Sequence, residues 1–389
     1  MEYFDAAIIG AGPAGSSAAI SLAREGYSVV LLDKEQFPRE KLCGDFLNPV
    51  SWPLLRELEV DNELLACSHE RVATFRFTAV TGEQTEVPLP AVNGATAFGL
   101  GLRRADLDHV LLQKAKGLGV TVLDGCRLKE LKRESSGWRA KADTGEVAKE
   151  LKARVLIGAD GRYSWVAHQL GLAEPQTRRG RSVGFQLRLR GLSRSSGSVE
   201  IHLFPGGYAG VVGVGGNTLN LCLAVEKDRF QHYRSLGRLL ESSLSVNPYL
   251  QSILRQSEPV GAAHSVYPVY FPPRRSYSHR VLLVGDAARV NEPVSGEGIY
   301  FALKSGQFAA GAIDRAFRRG DFSAEHLSSY ERECRSAFRI RRGINGLVRW
   351  LIYRPALVSR LLRFSGRRGQ LLGSLVQTIC QPETAEVVR

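Results

Sequence analysis

The amino end of the chain constrains the fold most. An apolar run from Asp5 to Gly10 enters Gly10-Ala-Gly12-Pro-Ala-Gly15, helical spacing follows from Pro13 to Glu25, and a second apolar run spans Tyr27 to Asp33. Strand, tight turn, helix and strand in that order make half of a doubly wound sheet. The three glycines serve different ends, since the first permits the turn, the second lets an anion approach the backbone, and the third lets helix and strand pack closely. The helix start aims free amide hydrogens and a partial positive charge at whatever sits in the turn. Asp33 ends the second strand, where its carboxylate can take hydrogen bonds from ribose hydroxyls, and Lys34 follows it. With 40 glycines in 389 residues the bare glycine spacing arises by chance about 0.4 times per chain, so strand, helix and acid carry the reading. They predict a dinucleotide turn contacted by Gly10, Gly12, Pro13, Ala14, Gly15, Asp33 and Lys34. The acid favours an unphosphorylated ribose, as in FAD or NAD, over NADP.

A chain of this length exceeds what one compact core usually holds. Asp106 to Leu118, with Leu107, Val110, Leu111 and Ala115 on one face, reads as a further helix before a strand at Val120 to Leu123. Val155 to Ala159 and Val281 to Val284 end at Gly or Asp turns, as central parallel strands do. Residues 71–100 and 183–279 instead alternate, as in Phe185, Leu187, Leu189 and Ile201, Leu203, which predicts half-buried antiparallel strands bent at Pro205-Gly206-Gly207. The expected architecture is α/β and interleaved. A Rossmann-like lobe comes from residues 1–70, 101–182 and 280–325, an antiparallel-sheet lobe from 71–100 and 183–279, and a basic helical region from 326–389.

Composition excludes several classes. Hydrophobic residues at 44% and charged residues at 23% match an ordinary globular protein. The six cysteines, Cys43, Cys67, Cys126, Cys222, Cys334 and Cys380, form no Cys-x-x-Cys pair, so neither a metal site nor a disulfide framework is expected, and a reduced, cytoplasmic setting fits. The amino end lacks the basic start and long apolar centre of a signal peptide, and no window supplies the roughly 18 apolar residues of a membrane span. A formal charge of +13 invites a polyanion. Without a zinc-finger or RNA-binding motif, nucleic acid is not expected; an anionic membrane surface and phosphorylated cofactors stay open.

Two further segments are more specific than the glycine turn: Gly158-Ala-Asp160-Gly161-Arg-Tyr-Ser164-Trp-Val166, and Gly285-Asp286-Ala-Ala-Arg-Val-Asn-Glu-Pro293-Val-Ser-Gly296-Glu297-Gly298-Ile299. With the first turn, in this order and spacing, the chain resembles the flavoprotein hydroxylase superfamily that shares the fold of para-hydroxybenzoate hydroxylase. Arg39-Glu-Lys41-Leu-Cys43-Gly44-Asp45 and the Pro-x-x-Gly-Glu-Gly ending are most similar to its geranylgeranyl reductase branch, which neighbours the flavin halogenases. The resemblance implies that the Rossmann-like lobe holds FAD, through Asp160, Gly161, Gly285, Asp286, Pro293, Gly296, Gly298 and Ile299 besides the turn, with NADH or NADPH as electron donor. Asp286, at a strand's carboxyl end, can accept from a ribityl hydroxyl. Gly296 to Gly298 open a helix through Ala302 and Phe308 to about Phe317, whose first amides can stabilise negative charge on a reduced flavin ring. Arg104 matches the family's arginine at the pyrophosphate, although Arg103 is an equally charged neighbour. The resemblance places Cys43 and Gly44 near the flavin's reacting face. Cys43 reads either as a thiolate favoured by Arg39 and Lys41 or as a small buried residue in a tight loop.

Such flavoproteins hold substrate between the flavin and the second lobe, here Phe185, His202, Phe204 and Tyr208. The reductase branch carries Tyr-x-Trp-x-Phe-Pro after a Pro-Gly-Gly turn. This chain keeps Pro205-Gly206-Gly207-Tyr208 but has Gly210 in the Trp position and Val212-Gly213 for Phe-Pro, and it lacks the halogenase Trp-x-Trp-x-Ile-Pro element. His202 reads either as an acid-base group or as a packed strand histidine. Near the carboxyl end, Ile340, Ile344, Leu347, Val348 and Leu351 form one helical stripe with Arg341, Arg342 and Arg349 off it. The stripe either lies on an anionic membrane or packs on the catalytic lobe with its arginines in solvent. The expected function is an FAD-dependent oxidoreductase acting on a hydrophobic small molecule, polyketide- or isoprenoid-like. Oxygen insertion ranks ahead of hydride delivery to a carbon-carbon double bond. The alternative of another class is a non-catalytic membrane-surface or nucleic-acid-binding protein with a vestigial dinucleotide fold.

Overall fold

The computed structural model describes residues 2–90, 98–144, 148–173, 182–191, 197–242, 246–290, 292–365 and 370–381. Residues 91–97 of the alternating segments and 382–389 of the basic region lie outside the described residues. Glu2–Ile9 pairs in parallel with Val29–Leu32 on one side and Ala148–Gly158 on the other. Thr121–Leu123 and Val281–Leu283 extend this sheet outward, also in parallel. Val29–Leu32 and Val281–Leu283 are wholly buried, because helices and a hairpin cover both faces, and hence their sequences run unbroken in apolar residues. On the edge where its carboxyl half pairs with Val281–Leu283, the amino half of Ala148–Gly158 pairs antiparallel with Trp138–Asp143.

Helix Pro13–Arg24 packs on the 22-residue helix Gly298–Arg319 with backbone contact. A Cβ on Gly306 would lie 2.4 Å from Ala14 O, and Ser17 Oγ donates to Leu303 O at 2.8 Å. This contact sets the start of the long helix beside the glycine turn.

A second sheet runs in the order Glu258–Val266, Ser182–Arg190, Thr218–Glu226, Gly207–Gly213, Ser198–Phe204, Thr74–Thr78 and Gln84–Pro88. It departs from purely antiparallel pairing at one seam, where Ser198–Phe204 runs parallel to Thr74–Thr78 and joins two distant sequence segments. Three short helices, Lys227–Tyr233, Leu236–Ser242 and Pro248–Arg255, were not legible in the alternation. Leu239, Leu250 and Ile253 from two of them cover one face of the sheet, packing on Phe185, Phe204 and Leu223. The other face looks toward the glycine turn. Strand parity therefore divides Ser198–Phe204: Val199 and Ile201 face a cavity, while Glu200, His202 and Phe204 face away.

Candidate active site

Between the two sheets lies a cavity of about 860 Å³, within the range of small-molecule sites. At one end the turn glycines are fixed by contact. A Cβ on Gly10, which has φ +107°, would lie 2.3 Å from Ala159 O, and one on Gly15 would lie 1.8 Å from Gly10 O. Gly12 is different: a Cβ there would meet only Arg39 Nη2 at 3.7 Å and Arg104 Nη2 at 3.9 Å. No side chain caps helix Pro13–Arg24 and its first turn holds no acid, so bare amides and two guanidinium groups surround one space. That donor set suits a diphosphate.

Asp108 holds the two arginines. It is fully buried, accepts from Arg104 Nε at 2.9 Å and Nη2 at 2.8 Å, and accepts from Arg39 Nη1 at 2.9 Å. Arg103 instead pairs with Asp106 on the surface, so of the two neighbouring arginines it is Arg104 that reaches the cavity. Asp108 and Arg39 were not anticipated in this role; the signal was an acid four residues after Arg104, on the same helix face. Asp33 is fixed at the cavity edge, accepting from Ala11 N at 2.8 Å and Glu35 N at 3.0 Å. Lys34 lies exposed at the rim, 3.8 Å from Glu35.

Along the same cavity, Gly285 adopts φ +55° and donates its N–H to Ser305 Oγ at 2.9 Å; a Cβ there would press on Ala14 Cβ at 2.9 Å. Asp286 follows, about one-third exposed and 3.8 Å from Arg162 Nη2. Gly296 has φ +66° and leaves no room for a Cβ against the ring of Phe46, at 2.7 Å. Gly298 then opens the long helix without a side-chain cap, and Pro293, Gly298 and Ile299 line the cavity. Asp160 and Gly161 reach the cavity too, but the Asp160 carboxylate is occupied, accepting from Ser164 Oγ and from Val166 N at 3.0 Å.

The Cys43-Gly44-Asp45 loop joins the two sheets. Cys43 N donates to Gln186 Oε1 at 3.2 Å, and Cys43 O accepts from Asn220 Nδ2 at 3.0 Å. Cys43 and Gly44 line the cavity. Activation of Cys43 as a thiolate is not what the surroundings favour. Burial pushes its thiol pKa up against the pull of Arg104, and Arg39 is committed to Asp108. Burial and the charge of Arg104 also hold the ammonium of Lys41 below the usual lysine range. Asp45 is fully buried with φ +51°, pairs with Arg188, and accepts from Arg104 N at 3.2 Å. Burial outweighs these partners and pushes its carboxyl up to about 6.

The far end of the cavity is apolar, with Ile201, Gly210, Ala224, Val269 and Val294 in its wall. Tyr208 lies there and donates to Glu292 Oε1 at 2.7 Å. Burial raises the pKa of both groups. Glu292 went unnoticed because it is a single acid ahead of Pro293. His202 does not reach the cavity: its Nδ1 is 2.8 Å from Thr78 Oγ1 and its Nε2 is 3.1 Å from Glu200 Oε2 on the other face of the sheet. Phe204 shares that face, within the core under the short helices. Phe185 contributes to the cavity wall, although its ring packs on Phe230 with centroids 4.7 Å apart.

Helix Arg339–Ile352 packs beside the apolar end and splits the expected stripe, with Ile344 and Val348 packed inward while Arg341 is buried with them. Arg341 is buried, donating to Glu297 Oε1 at 2.7 Å, to Ile379 O at 2.9 Å and to Gln381 O. The buried Glu297 carboxylate demands this cation. Asn345 Nδ2 also points inward and donates to Glu292 O at 3.2 Å and Ser295 Oγ at 2.7 Å. Ile340, Leu347 and Trp350 face outward, 57%, 49% and 48% exposed.

A parallel sheet with its glycine turn, a second sheet across a shared cavity, and a cation pair over bare amides define a two-sheet dinucleotide-binding oxidoreductase. The chain matches the FAD binding domain family over residues 3–207, more than half its length, and belongs to that family of FAD-dependent oxidoreductases. It is 28% identical to digeranylgeranylglycerophospholipid reductase 1 of Methanothermobacter thermautotrophicus, covering 85% of this chain and 82% of that one. It is 28% identical to menaquinone reductase of Mycobacterium tuberculosis, covering 80% and 76%. Its fold is that of a flavoprotein/dehydrogenase from Cytophaga hutchinsonii, with a TM-score of 0.83 over 97% of this chain and 93% of that one, at 18% identity. The vestigial-fold reading loses its support.

Proposed function

We propose that this protein is an FAD-dependent reductase that saturates carbon-carbon double bonds in a long, isoprenoid-like lipid. The observation that carries this reading is the single cavity running from the cation-lined glycine turn to an apolar wall, so that one space takes both a dinucleotide and a hydrocarbon chain. The relatives named for a digeranylgeranyl glycerophospholipid and for menaquinone support reduction over oxygen insertion, which the sequence alone ranked first. In this reading Gly12, the first amides after it, Arg39 and Arg104 hold the diphosphate, Asp33 a ribose, and Asp286 with the Gly298 helix start the ring end. Bound flavin supplies the hydride, after reduction by NADH or NADPH. Ile201, Val269 and Val294 exclude water and align the chain.

Anaerobic incubation of the reduced protein with digeranylgeranylglycerophospholipid tests this, with the products read by mass spectrometry. The expected result is a gain of two hydrogens per double bond. A product gaining oxygen, formed only when oxygen is admitted, overturns reduction in favour of oxygen insertion.

The lipid is reached, on this reading, from a membrane surface. No helix among the described residues is long and apolar enough to cross a membrane. The outward face of helix Arg339–Ile352 and the next helix, Pro355–Ser365, nevertheless presents Ile340, Leu347, Trp350 and Leu361 among exposed Arg339, Arg354, Arg360 and Arg363. Apolar anchors within a basic fringe suit an anionic headgroup layer. Sedimentation with anionic vesicles is expected to capture the protein, and Trp350→Ser to weaken capture several-fold. Equal capture by neutral vesicles would contradict the electrostatic part.

A further inference from the structure

The apolar end of the cavity holds a pair of proton-bearing groups that cofactor binding does not require. Tyr208 is 4% exposed and Glu292 2% exposed, and both border the cavity. Ile201, Val269, Val294 and Ile352 pack around Tyr208. Two buried carboxylates lie five residues apart in this segment, and they contrast. Glu297 has the guanidinium of Arg341 at 2.7 Å. Glu292 has the phenol of Tyr208 at the same distance and, among the described residues, no cation within ion-pair reach. The charge of Arg349 is felt there, but its guanidinium sits over the ring of Tyr270 at 3.9 Å. A carboxyl buried without a counter-ion keeps its proton.

We propose that Tyr208 and Glu292 together deliver the proton that double-bond reduction consumes. The phenol hydrogen goes to one carbon of the double bond while the other carbon takes the hydride from reduced flavin. The carboxyl of Glu292 then returns a proton to the phenol oxygen across their 2.7 Å contact. The balance is complete: the carbon-carbon π bond is replaced by two C–H bonds, the flavin is oxidised by two electrons, and Glu292 recovers its proton from water. This rests on the reductase reading above.

The wall geometry favours this division of labour. A phenol alone, in surroundings that strongly disfavour phenolate, is a poor acid. A neutral carboxyl behind it changes that: the resting phenol donates to Glu292 Oε1 at 2.7 Å, and when the hydroxyl turns to the substrate the carboxyl donates in its place and neutralises the phenolate as it forms. Asn345 Nδ2, donating to Glu292 O at 3.2 Å, fixes the backbone that carries the acid. Tyr208 is thus the catalytic residue, and Glu292 is the positioning and proton-holding residue behind it.

The test compares native protein with Tyr208→Phe and Glu292→Gln. Flavin content by absorbance, expected to be equal in all three, shows that each folds and loads. Infrared spectra of the native protein at neutral pH are expected to show a protonated-carboxyl carbonyl band that vanishes in Glu292→Gln and shifts in Tyr208→Phe. Single-turnover oxidation of the reduced flavin by digeranylgeranylglycerophospholipid, without oxygen, is expected to slow about a hundredfold or more in both variants. An ionised Glu292 in the native spectrum overturns the proposal. So do native rates in both variants while the native protein saturates the lipid, and in that case the reductase reading stands. A native protein that keeps its flavin yet never saturates the lipid overturns both.

Discussion

The two ends of the cavity are built to different tolerances. At the cationic end the fit is made by backbone: Gly10 and Gly15 are closed by carbonyl oxygens at 2.3 and 1.8 Å from where a Cβ would stand, and buried Asp108 ties Arg104 and Arg39 together. At the apolar end the fit is made by side chains. A Cβ on Gly210 would find Ile201 Cδ1 at a comfortable 3.8 Å. A wall of backbone cannot be adjusted by substitution, whereas a wall of side chains can. The glycine-turn end is therefore the fixed part of the cavity and the apolar end the adjustable part.

Gly15→Val is expected to have the largest effect, because no side-chain rotation relieves a clash with Gly10 O. Purified protein should lack flavin absorbance, and its urea midpoint should fall by the equivalent of about 3 kcal/mol or more, as overpacking against backbone does. Retained flavin would break the comparison at its rigid end. Gly210→Trp should do the opposite, keeping full flavin while lipid turnover falls about tenfold or more through lost space. Unchanged turnover would show that the apolar end is not where substrate lies.

An effect confined to acid pH belongs to Asp45, in the loop between the two ends. Its folded pKa, about 6, lies above the ordinary value of 3.8, so the folded state holds this proton more tightly than the unfolded chain. Its favourable contribution is whole below pH 4, declines from there to about pH 6, and is gone above. Thermal melts of native and Asp45→Asn protein should thus diverge across that window, the native losing on the order of 2–3 kcal/mol relative to the variant. Parallel profiles would mean that Arg188 holds Asp45 ionised throughout.

What could be read in advance follows from the range of each interaction. The glycine turn and Asp33 were legible from local pattern, whereas the Gly285 to Gly298 segment was legible through the family resemblance: the backbone demands glycine at 285 and 296 but leaves open space at 298. Alternation placed His202 and Phe204 on one face of a strand but carried no sign of which face met the cavity; Val199 and Ile201, on the opposite face, do. The short helices from Lys227 to Arg255 interrupt the alternating strands, and Asn247, whose side chain accepts from Tyr249 N and Leu250 N, was the local signal for the third. Arg341 was assigned to solvent by its chemical type. Glu297, 44 residues upstream, and the carbonyls of Ile379 and Gln381 downstream explain its burial, and helical periodicity has no access to such partners.

That ion pair also links segments far apart in the chain. Glu297 adjoins the start of helix Gly298–Arg319, and its counter-charge is supplied by a residue 44 positions later. Arg341 in turn is held by the carbonyls of Ile379 and Gln381, later still. A buried carboxylate without its cation is strongly unfavourable. The carbonyls of Ile379 and Gln381 therefore help to hold a group at the start of the long helix, and a change near them is expected to be felt at Glu297.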